Sequence, residues 1–112
     1  MTSPADIFGP RRKVQHKFRA IQTERDGIKF ASKKEANYYD TIKYRQQMGE
    51  VLFFLRQVPI HLPGGTKLVI DFVEFRTDDS VHFIDTKGIE TDSFKIKRRE
   101  VEALYPIKIE TV

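Results

Sequence analysis

The chain has 112 residues, 39% of them hydrophobic and 32% charged, and its nine Phe and four Tyr supply enough apolar surface for one folded domain and exclude a disordered chain. The absence of cysteine excludes disulfides, thiolate zinc sites and a cysteine nucleophile, and is typical of a cytoplasmic protein. A formal net charge of +4 favours a polyanionic partner such as nucleic acid, and the longest wholly apolar run, residues 51–55, is too short to cross a membrane.

Residues 1–16 are predicted to form a flexible basic N-terminal arm, followed by a single domain at 17–112. The arm contains the cluster Arg11, Arg12 and Lys13 and has no sustained periodicity. Such a cluster either solubilises the chain or binds a nucleic-acid backbone with a salt-sensitive contribution. After the arm, the pair Asp26-Gly27 favours a tight turn between two short extended segments.

The clearest helix of the chain is predicted after Ser32 and before Gly49. Glu35 follows Ser32 at the spacing of a capping box, and Gly49 is a typical residue at a helix end. Tyr39 and Ile42 continue from Glu35 at helical spacing, so Glu35 shares a face with the apolar stripe. Glu35 therefore either satisfies a backbone amide at the cap or contributes an acid to a pocket.

Three β-rich segments follow this helix. The first, "VLFFLRQVPIHL", is expected to be bent or interrupted near Pro59, and its Gln57 is either a polar surface residue or lies at a pocket edge. The second, "KLVIDFVEF", is apolar on both alternations, which indicates a strand covered on both sides, so the charge of Asp71 within it needs a partner. "RTDDS" then turns the chain into the third segment, "VHFIDTK", which Gly88 ends.

A second helix is predicted from its cap at Thr91 to about Leu104, with Phe94, Val101 and Leu104 facing inward. The segment "IKIETV" is predicted to be a last short strand. The order of elements indicates an α/β sandwich in which helices flank a central mixed sheet. Basic residues on the second helix form either a solvated face or a nucleic-acid contact: Lys95, Lys97, Arg98 and Arg99.

Asp85 and Lys87 stand two positions apart at the end of the third β-segment, so they are predicted to share a face, roughly 6 to 7 Å apart. Asp71 joins that face only if the turn has an odd number of residues or a bulge. A turn at 78–79 would place Asp71 opposite Thr86, whereas a loop at 78–80 would place it opposite Lys87. Two converging carboxylates would suit a magnesium site, and the alternative is an ordinary ion pair at a strand end.

Asp71, followed by Asp85-Thr86-Lys87 on the next strand and preceded by the helical Glu35, resembles the PD-(D/E)XK nuclease superfamily. The shared core of that superfamily is a restriction-endonuclease-like αβββαβ sandwich. One departure is that Ile70, not Pro, precedes the first Asp. Longer stretches resemble a family of small phage and prophage proteins, described as a domain of unknown function and similar to junction-resolving nucleases: "DGIKFASKKEANYYDTIK", "QVPIHL", "IDFVEF" and "DTKGIETDSFKIKRREVEALY".

This resemblance covers about residues 17–111 and implies roles for the residues it spans. Asp71, Asp85 and the backbone carbonyl of Thr86 would bind the metal, Lys87 would be the catalytic lysine, and Glu35 would be the helix acid, which could enter the same pocket as a further metal ligand. The implied activity is that of a phage-type endonuclease that uses Mg²⁺, for which Mn²⁺ can substitute, and hydrolyses phosphodiester bonds in DNA.

The expected specialisation of such an enzyme is the resolution of branched DNA such as Holliday junctions, by a homodimer in the cytoplasm of a bacterial host. Two alternatives stay open at the level of the sequence. One is a nuclease fold that has lost catalysis and only binds DNA. The other is a structural or interaction protein of a phage, in which the Asp-Lys pair is a simple salt bridge.

Overall fold

The computed structural model describes residues 23–112, and the predicted basic arm at 1–16 lies outside this range. Its elements are β1 (Thr23–Arg25), β2 (Ile28–Phe30), α1 (Lys33–Gln47), β3 (Val51–His61), β4 (Lys67–Arg76), β5 (Val81–Asp85), α2 (Asp92–Leu104) and β6 (Ile109–Thr111), with a 3-10 turn at Pro63–Gly65. From α1 onward the order is αβββαβ, as predicted. In the described range, no helix is long and apolar enough to span a bilayer.

The chain divides into two compact units, one that ends at Ala36 and one from Asn37 to Val112. In the first unit, β1 and β2 pair as an antiparallel hairpin. Asp26 and Gly27 both adopt positive φ, 51° and 78°, which confirms the predicted tight turn. The backbone N–H of Glu35 donates to the Ser32 hydroxyl at 3.1 Å, so Ser32 caps α1 as its spacing predicted.

The second unit contains a mixed sheet of four strands in the order β3-β4-β5-β6. The first three strands pair antiparallel, and β5 and β6 pair parallel through the crossover that contains α2. β4 is therefore an inner strand, in agreement with its apolar residues on both alternations. The fold class, α/β with a mixed sheet and two helices, is confirmed.

Each helix of the sandwich packs on the sheet through aromatic or branched side chains. Tyr38 and Tyr39 of α1 meet the rings of Phe72 and Phe54, with centroids 5.4 and 5.8 Å apart. The side chains of α2 enter one cluster with strand residues, whose buried members are Leu62, Leu68, Ile70, Val73, Phe94, Val101 and Ile109. The sheet is thus anchored to both helices by its own apolar side chains.

Leu104 was predicted to face inward, and this is wrong, because its side chain is 53% exposed. The helix ends at this residue, and the chain leaves it at Tyr105 in an extended conformation. The core at this end is filled instead by the buried Ile109, with Ile107 packed against the cluster. Residues beyond the helix therefore join the core that Leu104 was expected to join.

β3 was expected to be bent or interrupted near Pro59, and its irregularity lies two residues before the proline and not at the proline itself. Pro59 pairs with Val69, between the pairs Val58–Ile70 and Ile60–Leu68. Because β3 is an outer strand of the sheet, it tolerates a residue without an N–H group. The irregularity near the proline is Gln57, which has a positive φ of 52° and is missing from the paired positions.

Candidate active site

The β4–β5 hairpin sets which side chains face each other across the two strands. Its register pairs Phe72 with Ile84 and Val73 with Phe83. One further step in the same register places Asp71 opposite Asp85, and directly opposed residues share a face of the sheet. The two carboxylates therefore lie on the same face, which is the condition under which the sequence predicts a metal site.

The loop between these strands explains why Asp71 faces Asp85 and not Lys87. Its three residues, 77–79, are closed by a hydrogen bond of 2.9 Å from the Arg76 N–H to the Ser80 carbonyl. The odd loop is thus present, but it begins one residue earlier than the predicted loop at 78–80. An earlier start by one residue moves the partner of Asp71 by two positions, which leaves the face unchanged.

Asp71 is held in place by hydrogen bonds to both of its carboxylate oxygens. The backbone N–H and the hydroxyl of Thr86 donate to Oδ2 at 2.9 and 2.8 Å. The side-chain amide of Gln57 donates to Oδ1 at 3.2 Å. Donors on either side fix the orientation of this carboxylate, so Asp71 is a preorganised anionic group at the end of the hairpin.

Asp85 is buried, and neither of its side-chain oxygens accepts a hydrogen bond from the residues that the structure describes. Burial raises the pKa of Asp85 to about 7, the negative charge of Asp71 adds to this rise, and Lys87 opposes it. A buried carboxylate without donors is unfavourable as an anion. This position therefore favours either a proton or a bound cation.

Lys87 lies just beyond β5, which ends at Asp85, so it does not continue the strand as predicted. Its Nζ is nevertheless 3.6 Å from Asp85 Oδ1 and 5.0 Å from the centroid of the Phe94 ring. The carboxylate and the ring hold the ammonium by charge attraction and by a cation–π contact. With 37% of its side chain exposed, Lys87 can also contact a ligand from solvent.

The remaining predicted site residues are Glu35 and the basic residues of α2 and of the N-terminal arm. Glu35 is buried in the first turn of α1, and its role as a site acid remains a prediction. Lys97 lines a cavity of about 360 Å³ together with Lys87. Arg98 pairs with Glu90 at 3.3 Å, whereas Lys95 and Arg99 are exposed. The predicted contacts of Arg11, Arg12 and Lys13 lie outside the described residues.

Glu74 is a buried acid of β4, and the sequence-based prediction missed it. It is fully buried, its Oε1 lies 3.0 Å from both Arg45 Nη1 and Arg76 Nη2, and its Oε2 accepts a hydrogen bond from the Tyr38 hydroxyl. Burial and the hydrogen bond to Glu74 raise the pKa of Tyr38. The signal that singled out Asp71, an acid within an apolar strand, also applies to Glu74. An odd separation in the strand places the two acids on opposite faces.

The raised pKa of Asp85 predicts how the stability of the protein without divalent ions depends on pH. Between the pKa of an unfolded Asp, about 3.9, and the folded value, the native state binds more protons, so stability falls as pH rises through this range. Asp85→Asn should remove this loss and be more stable by roughly 2 to 4 kcal/mol above pH 7. Urea denaturation in EDTA at pH 5, 6, 7 and 8 measures the difference. A difference between the two proteins that does not grow with pH would contradict the prediction.

Comparison with known proteins identifies a family without assigning an activity. The model of a family described as "Protein of unknown function (DUF1064)" matches residues 15–111. No curated protein and no solved structure matches the chain. Within the range that the structure describes, no group of three or more His, Cys, Asp or Glu side chains is placed to hold a metal ion.

Proposed function

The chain belongs to the DUF1064 family, and we propose that it is a metal-dependent endonuclease of the PD-(D/E)XK type that hydrolyses phosphodiester bonds in DNA. One observation carries this proposal. Asp85 is a buried carboxylate that accepts no hydrogen bond within the described chain, faces a second carboxylate, and has an ammonium group 3.6 Å away. A simple structural ion pair would not need a second acid beside it.

The donor set fits magnesium, with manganese as a substitute. Asp71 and Asp85 offer carboxylate oxygens, the backbone carbonyl of Thr86 is the proposed third protein ligand, and hard oxygen donors are those that Mg²⁺ prefers. A divalent cation would also offset the excess negative charge of the two acids. When bound, such an ion supplies Lewis-acid polarisation of a phosphate ester.

The residues of the chain supply orientation and charge. Asp71 is fixed by donors on both oxygens, so it can align a ligand without first reorganising. Lys87 presents a partly exposed ammonium beside the acids, where it can donate to a phosphate oxygen as negative charge develops on attack by water. Glu35, the buried acid of the first turn of α1, is the proposed helix acid.

A cavity next to Lys87 supports a path for the DNA backbone. Thr91, Ser93 and Lys97, from the start of α2, line it together with Lys87. Two ammonium groups in one cavity suit consecutive phosphates of a strand. Arg98 pairs with Glu90, so its charge is partly offset. We therefore assign the strongest phosphate contact of α2 to Lys97, which lines the cavity, and weaker ones to Lys95, Arg98 and Arg99. The basic arm with Arg11, Arg12 and Lys13 is proposed to add salt-sensitive affinity.

We expect Lys97→Ala to weaken DNA binding more than Arg99→Ala, which removes the same charge from an exposed position of α2. If Lys97 contacts a phosphate, the slope of log affinity against log salt should fall by about 1 for Lys97→Ala. Fluorescence anisotropy of a labelled four-way junction in EDTA, from low to moderate salt, measures both slopes. Equal losses in the two variants would remove the cavity from the DNA path.

The proposal extends to the assembly and the setting of the enzyme. One site cuts one strand, so cleavage of both strands of a junction or duplex requires two sites, and we propose a homodimer. Branched DNA such as a Holliday junction is the proposed substrate, and the cytoplasm of a bacterial host is the proposed location for a phage-type protein of this kind.

The test is incubation of the purified chain with supercoiled, linear, single-stranded and four-way-junction DNA, each with Mg²⁺, Mn²⁺ or EDTA. We expect cleavage that requires a divalent ion and is strongest on the junction. Binding without cleavage under every metal would instead favour a nuclease fold that only binds DNA. Neither binding nor cleavage would favour a structural or interaction protein.

A further inference from the structure

Gln57 adopts a left-handed backbone conformation in the middle of a strand. Its φ is 52°, within β3, a strand of 11 residues. The neighbouring pairs, Arg56 with Phe72 and Val58 with Ile70, keep one register on both sides, so the irregular residue stands across from Asp71. The distortion is therefore local and does not shift the strand.

A residue other than glycine is unfavourable in this conformation, since the side chain crowds the following carbonyl. Within residues 23–112, two other non-glycine residues have positive φ, Asp26 and Asp79, and both lie in tight turns that require it. No turn requires it at Gln57. Strained backbone of this kind is concentrated at functional sites, where the surrounding contacts hold it.

The side chain of Gln57 reaches the candidate active site. Its Nε2 donates to Asp71 Oδ1 at 3.2 Å, while Thr86 occupies Oδ2 with two donors. A carboxylate oxygen has two lone pairs, so Oδ1 retains one for a further ligand. Because an amide is neutral, it orients Asp71 without offsetting the negative charge that would attract a cation.

We propose that Gln57 is a positioning residue of the active site, whose left-handed backbone directs its amide onto Asp71 and so aims that carboxylate at a divalent cation shared with Asp85. This inference rests on the proposed function. On this inference, the strained backbone of Gln57 serves the active site and does not stabilise the sheet. Loss of an outer partner of a metal ligand typically lowers metal affinity or activity by roughly 10- to 100-fold.

The test separates backbone strain from side-chain function by substituting glycine at two strained positions. Gln57→Gly should raise the urea midpoint, because glycine adopts positive φ freely, but weaken Mn²⁺ binding roughly 10- to 100-fold. Its kcat for junction cleavage should fall while KM stays within about twofold of wild type. Asp79→Gly, the matched control in the β4–β5 turn, should raise the midpoint and leave Mn²⁺ affinity and kcat unchanged.

Gln57→Asn is a second variant, because asparagine tolerates the left-handed conformation but is one methylene too short to keep the contact. It should lose Mn²⁺ affinity without the gain in stability. Calorimetric titration with MnCl₂ provides a measurement that does not depend on cleavage. If the wild type binds Mn²⁺ and cleaves DNA while Gln57→Gly behaves like Asp79→Gly, this inference alone is overturned. If the wild type neither binds Mn²⁺ nor cleaves DNA, both it and the proposed function fail.

Discussion

Asp85→Asn is expected to lower the rate of metal-dependent DNA cleavage by on the order of 10³-fold, because it removes one of the two strand carboxylates, Asp71 and Asp85, that are proposed to bind the metal. Asparagine keeps the shape of the side chain, so the fold should persist. The variant should at the same time be more stable than wild type at neutral pH in EDTA, since burial makes the charged form of Asp85 unfavourable. Gain of stability with loss of activity is the signature of a site residue, not of a structural ion pair.

The measurement is the rate of junction cleavage in Mg²⁺, together with the shift of the melting temperature on adding Mn²⁺. Lys87→Ala should abolish cleavage while it retains most of the Mn²⁺-induced shift, because Lys87 acts on the phosphate side. Lys43→Ala, an exposed lysine of α1 to which no DNA contact is assigned, is the matched control and should cleave within a few-fold of wild type. Cleavage that persists in Asp85→Asn would place the activity at another site or in a contaminant.

The elements of this fold were predictable because short-range chemistry sets their ends. The spacing of Ser32 and Glu35 predicted the start of α1, and the Thr91 hydroxyl accepts the predicted capping bond from the Phe94 N–H at 3.1 Å. These signals involve contacts within one helical turn. These signals can be read from the sequence alone, because each donor and its acceptor lie three residues apart.

The geometry of the site was only partly predictable, because it depends on register and on contacts between strands. Asp71 was recognised as an anomaly in its apolar strand, but its partner across the hairpin depended on where a three-residue loop begins, which "RTDDS" leaves open. The left-handed conformation of Gln57 left no sequence signal, since glutamine has no preference for it. The sequence suggested only that Gln57 could lie at a pocket edge. The pairing of β3 with β4 is what places its amide against Asp71.

Among the charged residues discussed, truncation of the buried acid Glu74 is expected to destabilise the protein most. Glu74→Ala should destabilise the protein by about 3 to 5 kcal/mol. The substitution leaves the guanidinium groups of Arg45 and Arg76 and the Tyr38 hydroxyl without their shared acceptor. Arg45 would keep its exposed partner Glu50, but the buried carboxylate between the two guanidinium groups would be lost. Urea denaturation at pH 7 measures the loss.

Glu50→Ala is the matched control, since Glu50 binds the same Arg45 at 2.9 Å but has 63% of its side chain exposed. An exposed pair contributes about 1 kcal/mol or less, so the two substitutions separate the effect of burial from that of the ion pair itself. Equal losses would show that Arg45, and not the buried position of Glu74, determines the energy. A large loss for Glu74→Ala alone would mean that the two acids of β4 have different roles. Glu74, whose carboxylate is fully paired, stabilises the packing of α1 on the sheet. Asp71, on the other face, can still bind a further ligand.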